Sequence, residues 1–200
     1  MRKRKRVLVD LDNITVDLTK KWLDLYNRDF GDTLTVADIT SWHIANHVKC
    51  SQEEMHEYLY SDRFFLDVEP MPGAIEALKE IHDAVDAEGK PRFHLLIVSA
   101  PSHPGNSATD KITWVRERMP WFNKRDISLM HHKHMLDGDW LVDDSPDNIR
   151  AYRAERPTAK IATIAYPFNR EVRQLCDVFA ESYWQSAQAW REIVSSIMRS

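Results

Sequence analysis

The stretch Val7-Leu8-Val9-Asp10-Leu11-Asp12 decides the fold class of this chain. A short apolar run that ends in polar residues is typical of a buried strand in a parallel sheet. Similar runs follow at residues 93–98, 140–142 and 161–164, and a weaker one at 127–130. The sequence therefore predicts a parallel β-sheet in which Asp10 and Asp12 follow the first strand.

Helical patterns separate these runs. The first covers residues 73–88 between Pro72 and Gly89, with Val85 on its apolar face. The second is marked by Ile112, Val115 and Met119, and the third covers residues 148–156 after Pro146. Alternating strands and helices predict an α/β fold, here a Rossmann-like parallel sheet flanked by helices and joined by right-handed crossovers.

The interval between the first strand and Pro72 contains no convincing strand. Residues 17–30 have helical periodicity, and Ser51 with Glu54 forms a capping box before another short helix. The interval is too long for a loop, so we expect a helical cap over 17–71 inserted into a core of 1–16 and 72–200. Ligands of such sheets bind at the carboxyl ends of the strands, where this cap would lie above them.

Composition excludes several classes of site. The chain has 200 residues and only five glycines, and these are too far apart for a G-x-G-x-x-G fingerprint or a Walker loop. Its two cysteines, Cys50 and Cys176, cannot form a disulfide framework or a thiolate zinc site. They suit buried or incidental thiols of a reducing compartment, with a single disulfide as the alternative.

The charge of the chain is unevenly distributed. Outside the basic run 2–6, the chain has 22 of its 27 Lys and Arg residues and all 31 of its Asp and Glu residues. This acidic excess would repel the phosphate backbone, so we do not expect the protein to bind nucleic acid polymers. We interpret the run as the solvated start of the first strand, with a targeting or nucleic-acid-binding tail as the alternative. No apolar segment approaches the ~20 residues of a membrane span, and Asp10 interrupts any signal peptide. We expect a cytoplasmic protein without a membrane partner.

Carboxylates stand at the ends of predicted neighbouring strands. Asp10 and Asp12 follow the first strand, Asp143 and Asp144 follow residues 140–142, and Ser99 follows residues 93–98. Each piece alone is explained by a turn or a helix cap. Together they would meet at one edge of the sheet, where carboxylates repel one another unless a cation neutralises them. Mg²⁺ suits such a site, because it combines carboxylates with water and phosphate oxygens.

At these residues the sequence resembles the haloacid dehalogenase superfamily. Asp10-Leu11-Asp12-Asn13-Ile14-Thr15 resembles its first motif, Ser99 its second, Lys111 its third-motif lysine and Asp143-Asp144 its fourth. Further features are similar to the 5′(3′)-deoxyribonucleotidase family: Phe64-Phe65 ahead of Pro70-Met71-Pro72-Gly73-Ala74, the stretch 110–115, and Lys133 ten residues before Asp143.

The resemblance implies a phosphomonoesterase mechanism. Asp10 would attack phosphorus to form an aspartyl-phosphate, and Asp12 would protonate the leaving oxygen and then activate water. Mg²⁺ would be held by Asp10, the Asp12 carbonyl and Asp143, with Asp144 as a further or water-mediated ligand. Ser99 and Lys111 would bind the phosphate.

The resemblance also implies a nucleoside monophosphate substrate, in particular a deoxyribonucleotide. The cap aromatics Trp42, Phe64 and Phe65 would hold the base, while Trp22 is expected in the packing of the cap. Lys133 is the second candidate for the third-motif lysine and a candidate for substrate binding. Another small phosphate ester as substrate, or a catalytically silent nucleotide-binding protein, are the alternatives.

Two departures from the family pattern bear on the silent alternative. Asn13 stands where glycine is common in the first motif, and Ala100 replaces a second hydroxyl after Ser99. Asparagine tolerates the left-handed backbone conformation, so the turn can survive.

Two other segments have no assigned role in the expected chemistry. The run His131-His132-Lys133-His134 is interpreted as a solvated loop rather than a metal site. The C-terminal aromatics, Trp184 and Trp190 among them, predict an amphipathic helix that packs on the body, with a homodimer face as the alternative.

Overall fold

Six parallel strands form one sheet at the centre of the computed structural model, which describes residues 4–102 and 105–200. The strands are β1 (Lys5–Val9), β2 (Phe93–Ser99), β3 (Ile127–Leu129), β4 (Trp140–Val142), β5 (Lys160–Ile164) and β6 (Val178–Ala180), in the spatial order β3-β2-β1-β4-β5-β6. The predicted α/β fold with a Rossmann-like parallel sheet is confirmed. The strand β6 is an addition, because its three residues are too short to stand out as an apolar run.

Strand β1 lies between β2 and β4, which follow it at very different places in the chain. Val9 pairs with Ile97 of β2 on one side and with Val142 of β4 on the other. The strand order therefore reverses at β1, and a crevice opens at its carboxyl end. The side chains of Val7, Val9 and Ile97 are wholly buried, since helices cover the sheet.

Over residues 4–102 and 105–200, six α-helices accompany the sheet. They are α1 (Leu18–Phe30), α2 (Gln52–Tyr60), α3 (Ala74–Asp83), α4 (Ser107–Arg118), α5 (Pro146–Glu155) and α6 (Ser186–Arg199). Short 3₁₀ helices occupy Val36–Asp38, Ile44–Asn46, Lys124–Asp126, Lys133–Met135, Pro167–Leu175 and Tyr183–Gln185. Within the described residues, no helix has both the length and the apolar character needed to cross a membrane.

Helix α3 ends earlier than the sequence predicts. It stops at Asp83, and Val85, expected on its apolar face, is 54% exposed. The Asp86 carboxylate accepts hydrogen bonds from the amides of Glu88 and Lys90, and Gly89 adopts φ 74°. These bonds stabilise a tight turn in place of the last helical turns, so the prediction of a helix to residue 88 is wrong.

The segment between β1 and α3 carries α1 and α2 and, over residues 17–71, no strand of the sheet. We call residues 17–71 the insert. The Ser51–Glu54 capping box predicted at the start of α2 is present. The two ends of the insert lie side by side, because the Asp17 amide donates to the Glu69 carbonyl over 2.9 Å. The insert thus leaves and rejoins the rest of the chain at one place, next to the end of β1.

The first and last elements of the described residues are β1, which lies within the sheet, and α6, which contacts β5 and β6. Arg2 and Lys3 of the basic run lie outside the described residues, while Lys5 and Arg6 already belong to β1. Helix α6 buries Trp190, Ile193 and Ile197, and Trp184 ahead of it is 62% exposed. The Trp190 indole donates to the Ile14 carbonyl over 3.1 Å, so the C-terminal helix supports the loop that follows β1.

Candidate active site

The loop after β1 carries the first two carboxylates of the site. The Leu11 carbonyl accepts hydrogen bonds from the amides of Ile14, Thr15 and Val16, and the Thr15 hydroxyl donates to the Asp10 carbonyl over 2.7 Å. The tight turn requires a left-handed residue, and Asn13 supplies it with φ 55°. Asp10 is thereby held at the strand end, with its Oδ1 accepting from the Leu11 amide over 2.8 Å.

Three buried carboxylates meet beside this loop. One oxygen each of Asp10, Asp143 and Asp144 lies within 4.8 Å of the others. The ammonium of Lys133 lies 2.9 Å from Asp10 Oδ2 and 2.7 Å from Asp143 Oδ2, with its side chain only 1% exposed. Burial alone would lower the pKa of Lys133, but the charges of Asp10 and Asp143 outweigh it and raise that pKa.

Hydrogen bonds from neighbouring groups orient the two aspartates after β4. Asp143 Oδ1 accepts from the Ser145 amide over 2.9 Å and from Asn148 Nδ2 over 3.1 Å. Asp144 Oδ2 accepts from Asn13 Nδ2 over 2.9 Å. Ser145 also caps α5 through the Asn148 amide. The start of α5 and the β1 loop therefore fix both carboxylates in one arrangement.

The charges of the cluster are not balanced by protein groups. Burial raises the pKa of Asp144 well above its usual range, and the charges of Asp10 and Asp143 raise it further. Burial also raises the pKa of Asp143, against the opposing effect of Lys133. With Asp12 and Lys111 beside them, four carboxylates face two ammonium groups, which leaves two negative charges when all are ionised. An all-oxygen set with this excess fits a hard divalent cation.

A second group of side chains lies on the β2 side of Asp10. Lys111 Nζ is 2.6 Å from Asp12 Oδ2, 3.0 Å from Ser99 Oγ and 2.6 Å from the Ala100 carbonyl oxygen. Burial, helped by the charge of Asp10, raises the pKa of Asp12 although Lys111 opposes it. Among the residues that the structure describes, none donates a hydrogen bond to the buried Oδ1 of Asp12. The raised pKa makes it easier for Asp12 to carry the proton that a general acid requires.

The two lysines that the sequence offered for the third-motif position have different partners in the structure. Lys133, the second candidate for the third-motif position, lies against Asp10 and Asp143. Lys111, the first candidate, lies against Asp12 and Ser99 and 4.5 Å from the centre of the Phe65 ring. The lysine beside the candidate nucleophile is therefore Lys133. Spacing could not decide this, because Lys111 belongs to α4 and Lys133 to the 3₁₀ helix before β4, and only the fold brings either of them to the carboxylates.

A cavity of about 680 Å³ opens above both groups, between the insert and the sheet edge. This size suits a small-molecule ligand. Its floor includes Asp10, Asp12, Lys133 and Asp144, and its walls include Leu18, Trp22, Trp42, His43, Ile44, His56, Tyr60, Phe65, Pro101, His131, Asn148 and Phe168.

The predicted base-binding aromatics divide between the cavity wall and the packing behind it. Trp42 and Phe65 line the cavity, and Trp42 meets Phe168 edge-to-face with ring centres 5.5 Å apart. Phe64 is not among the described lining residues: it is 2% exposed and packs behind Phe65 at 5.2 Å. Adjacent residues of a chain point in different directions, so only one of this pair faces the cavity.

Several wall residues carried no usable signal in the sequence. Trp22, expected in the packing of the cap, lines the cavity and stacks on His56 with ring centres 6.3 Å apart. Phe168 comes from the 3₁₀ helix after β5, far from the insert in the chain. Of the histidine run, His131 and His132 are exposed, and His131 also lines the cavity. These residues are far apart in the chain, and the fold brings them to the wall of the same cavity.

The parallel sheet with a crevice at the carboxyl end of β1 has the fold of haloacid dehalogenase-like proteins. A haloacid dehalogenase-like hydrolase from Streptococcus pneumoniae superimposes with a TM-score of 0.58 at 12% identity, covering 98% of this chain and 100% of that one. The family model described as "5' nucleotidase, deoxy (Pyrimidine), cytosolic type C protein" matches residues 4–197. The chain belongs to this family, so it is a phosphoric monoester hydrolase of the 5′-nucleotidase type.

Curated relatives agree with the family. A 5′(3′)-deoxyribonucleotidase of Clostridium acetobutylicum is 29% identical over 150 residues, which cover 74% of this chain and 77% of that protein. The human 5′(3′)-deoxyribonucleotidase of cytosolic type is 26% identical over 204 residues, which cover 98% of this chain and 96% of the human protein. The similarity thus extends beyond the motifs to nearly the whole chain.

Proposed function

We propose that this protein is a Mg²⁺-dependent nucleotidase that converts nucleoside monophosphates, deoxyribonucleotides in particular, into nucleoside and phosphate. The observation that carries the proposal is the buried group of Asp10, Asp143 and Asp144 next to Asp12, on the floor of a cavity with aromatic walls. The names of the relatives support the substrate class. In this proposal the insert acts as a cap, residues 1–16 and 72–200 form the core, and the enzyme works in the cytosol, as the name of the human relative suggests.

Asp10 is the proposed nucleophile. One of its carboxylate oxygens forms a bond to phosphorus while the bond from phosphorus to the nucleoside oxygen breaks, which leaves an aspartyl-phosphate. Asp10, Asp143, Asp144 and the Asp12 carbonyl are the proposed metal ligands, and bound Mg²⁺ supplies positive charge for the phosphate oxygens. Lys133 holds Asp10 and Asp143 in place and limits their repulsion.

Asp12 is the proposed general acid and base. Its raised pKa favours the protonated form, which donates its proton to the departing nucleoside oxygen. The resulting carboxylate then takes a proton from the water that attacks the aspartyl-phosphate, so phosphate leaves and Asp10 is regenerated. Ser99 and Lys111, 3.0 Å apart, are the proposed partners of the phosphate oxygens.

Phosphate release from a panel of nucleoside monophosphates, with and without Mg²⁺, tests the proposal. We expect release from deoxyribonucleotides that excess chelator abolishes and Mg²⁺ restores. Hydrolysis of sugar phosphates without any nucleotide would overturn the substrate class and leave the chemistry in place. Nucleotide binding by calorimetry without turnover would overturn the enzymatic role.

Trp42→Ala is expected to raise KM for a nucleoside monophosphate by about 10-fold with little change in kcat, because base stacking contributes roughly 1–3 kcal/mol. Trp42 lines the cavity in the insert, which the proposal assigns to the base rather than to the phosphate. Steady-state kinetics measures both constants. The matched control is Trp184→Ala, since Trp184 is 62% exposed and is not among the described cavity residues. Equal KM values for both variants would contradict the assignment.

Adding Mg²⁺ is expected to raise the thermal unfolding midpoint, and by more at about pH 8 than at about pH 5. In the folded protein the pKa of Asp144 is raised above its value in the unfolded chain. The protonated carboxyl therefore contributes its full stability below the unfolded pKa, and this contribution is lost as the pH rises through the folded pKa. The cation replaces the lost proton, so its effect grows with pH. Scanning fluorimetry measures the midpoint, with NaCl at equal ionic strength as the control. A Mg²⁺ effect that falls with rising pH would contradict the carboxylate site.

A further inference from the structure

The side chain of Asn13 connects the metal-binding cluster to the first helix of the insert. Its Nδ2 donates to Asp144 Oδ2 over 2.9 Å, and its Oδ1 accepts from the Thr19 amide over 2.9 Å. Thr19 is the second residue of α1. Both bonds are buried, so water does not compete for them.

The helix end that Asn13 contacts has no side-chain cap of its own. Asp17, at the N-cap position of α1, makes no capping hydrogen bond from its side chain. The first amides of a helix need partners outside the helix, and Asn13 supplies one of them from the preceding turn. Helix α1 carries Leu18 and Trp22, which line the cavity. The contact with Asn13 therefore anchors one wall of the cavity.

The core holds the backbone of Asn13 in place. The hydroxyl of Tyr166, which is 1% exposed, donates to the Asn13 carbonyl over 2.7 Å. Tyr166 is in turn stacked against Phe168 and Tyr183, with ring centres 4.8 and 5.1 Å away. Since the backbone of Asn13 is fixed at φ 55°, its side chain is preorganised for both contacts. A glycine here would keep the turn and lose the link.

We infer that Asn13 is a positioning residue that couples cation binding at Asp144 to the anchoring of α1 over the cavity. This rests on the proposed function, because it requires a divalent cation at Asp144. A cation that orders the Asp144 carboxylate also orders Asn13, and Asn13 holds the Thr19 amide. Coupling of this kind is reciprocal, so loosening the anchor also weakens cation binding.

Two measurements on Asn13→Gly test the coupling independently of turnover. Calorimetric titration with Mg²⁺ alone is expected to show affinity weaker by about 10-fold, as for other partners of metal ligands. Hydrogen exchange of the Thr19 amide, followed by NMR, is expected to be about 5-fold faster, as for the loss of one hydrogen bond. In the wild type Mg²⁺ slows this exchange, and in the variant it does not.

Asn106→Gly is the matched control. Asn106 precedes α4, is exposed and makes no side-chain cap bond, so its loss should change neither Mg²⁺ affinity nor Thr19 exchange. Asn13→Asp is the second variant, in case the glycine variant unfolds. It keeps an acceptor for the Thr19 amide and removes the donor to Asp144, so without Mg²⁺ the amide stays protected while the hydrogen bond that links it to Asp144 is lost.

The outcomes separate this inference from the proposed function. If the wild type binds no Mg²⁺, the proposed function fails and the coupling fails with it. If the wild type binds Mg²⁺, and both Asn13 variants bind Mg²⁺ with the same affinity and show the same effect of Mg²⁺ on Thr19 exchange, only the coupling is overturned. Steady-state kinetics gives a further test of the coupling. Asn13→Gly should raise the Mg²⁺ concentration that gives the half-maximal rate. At saturating Mg²⁺ its kcat should return to the wild-type value, while its KM for the nucleotide stays raised.

Discussion

Asp10→Asn is expected to lower the rate of phosphate release by roughly 10⁴-fold or more, since loss of a nucleophile removes the covalent route. The amide has nearly the shape of the carboxylate but cannot form the bond to phosphorus. Asp10 lies on the cavity floor at the end of β1, with its Oδ2 2.9 Å from Lys133 Nζ. Release of inorganic phosphate at saturating Mg²⁺ measures the effect.

The stability of this variant distinguishes loss of chemistry from loss of fold. Asp10 raises the pKa of Asp144, which means that the two charges repel one another. Removing one of them should leave the unfolding midpoint unchanged or raise it. Asp147→Asn is the matched control, because Asp147 is 82% exposed near the same sheet edge and should keep full activity. Wild-type turnover by Asp10→Asn would refute the proposed nucleophile.

Lys133→Met is expected to destabilise the protein by roughly 3–5 kcal/mol, because removing one partner leaves buried charges uncompensated. Lys133 is 1% exposed and contacts Asp10 and Asp143, which are 7% and 0% exposed. Without the lysine the pKa of Asp143 rises further, so the loss should be smaller at acid pH, where that carboxyl is protonated. Urea unfolding without Mg²⁺ at two pH values measures it.

Lys111→Met is the comparison for this prediction. Lys111 contacts one carboxylate, Asp12, which is 22% exposed, whereas Lys133 contacts two that are 7% and 0% exposed, so a smaller loss of stability is expected. Its main effect should be a higher KM, because Lys111 stands beside Ser99 on the proposed phosphate side. A larger loss of stability for Lys111→Met than for Lys133→Met would reverse the assignment of the two lysines.

The general layout of the site could be predicted because strand ends are marked locally in the sequence. Apolar runs that stop at Asp10, Ser99 and Asp143 identify three strands, and parallel pairing brings their carboxyl ends to one edge. The turn that Asn13 forms was also predictable from the tolerance of asparagine for positive φ. These features follow from the order of residues within short segments.

The bounds of some elements were not predictable from such patterns. The apolar periodicity of α3 continues to Val85, but the hydrogen bonds of the Asp86 carboxylate with nearby amides end the helix earlier. Strand β6 exists because Ala180 finds a partner in Ile164, and three residues alone do not specify a strand. In both places a partner outside the periodic pattern decided the conformation.

The sequence by itself therefore determined the α/β class, the edge of the sheet at which the carboxylates meet and the set of charged residues found there. Tertiary structure alone decided that Lys133 rather than Lys111 lies against Asp10, that Phe65 rather than Phe64 faces the cavity, and that Asn13 links Asp144 to α1. The physical reason is that strand and helix periodicity is encoded within a few residues. The partner of a buried charge, by contrast, is whichever opposite charge the packing of distant elements brings within a few ångströms.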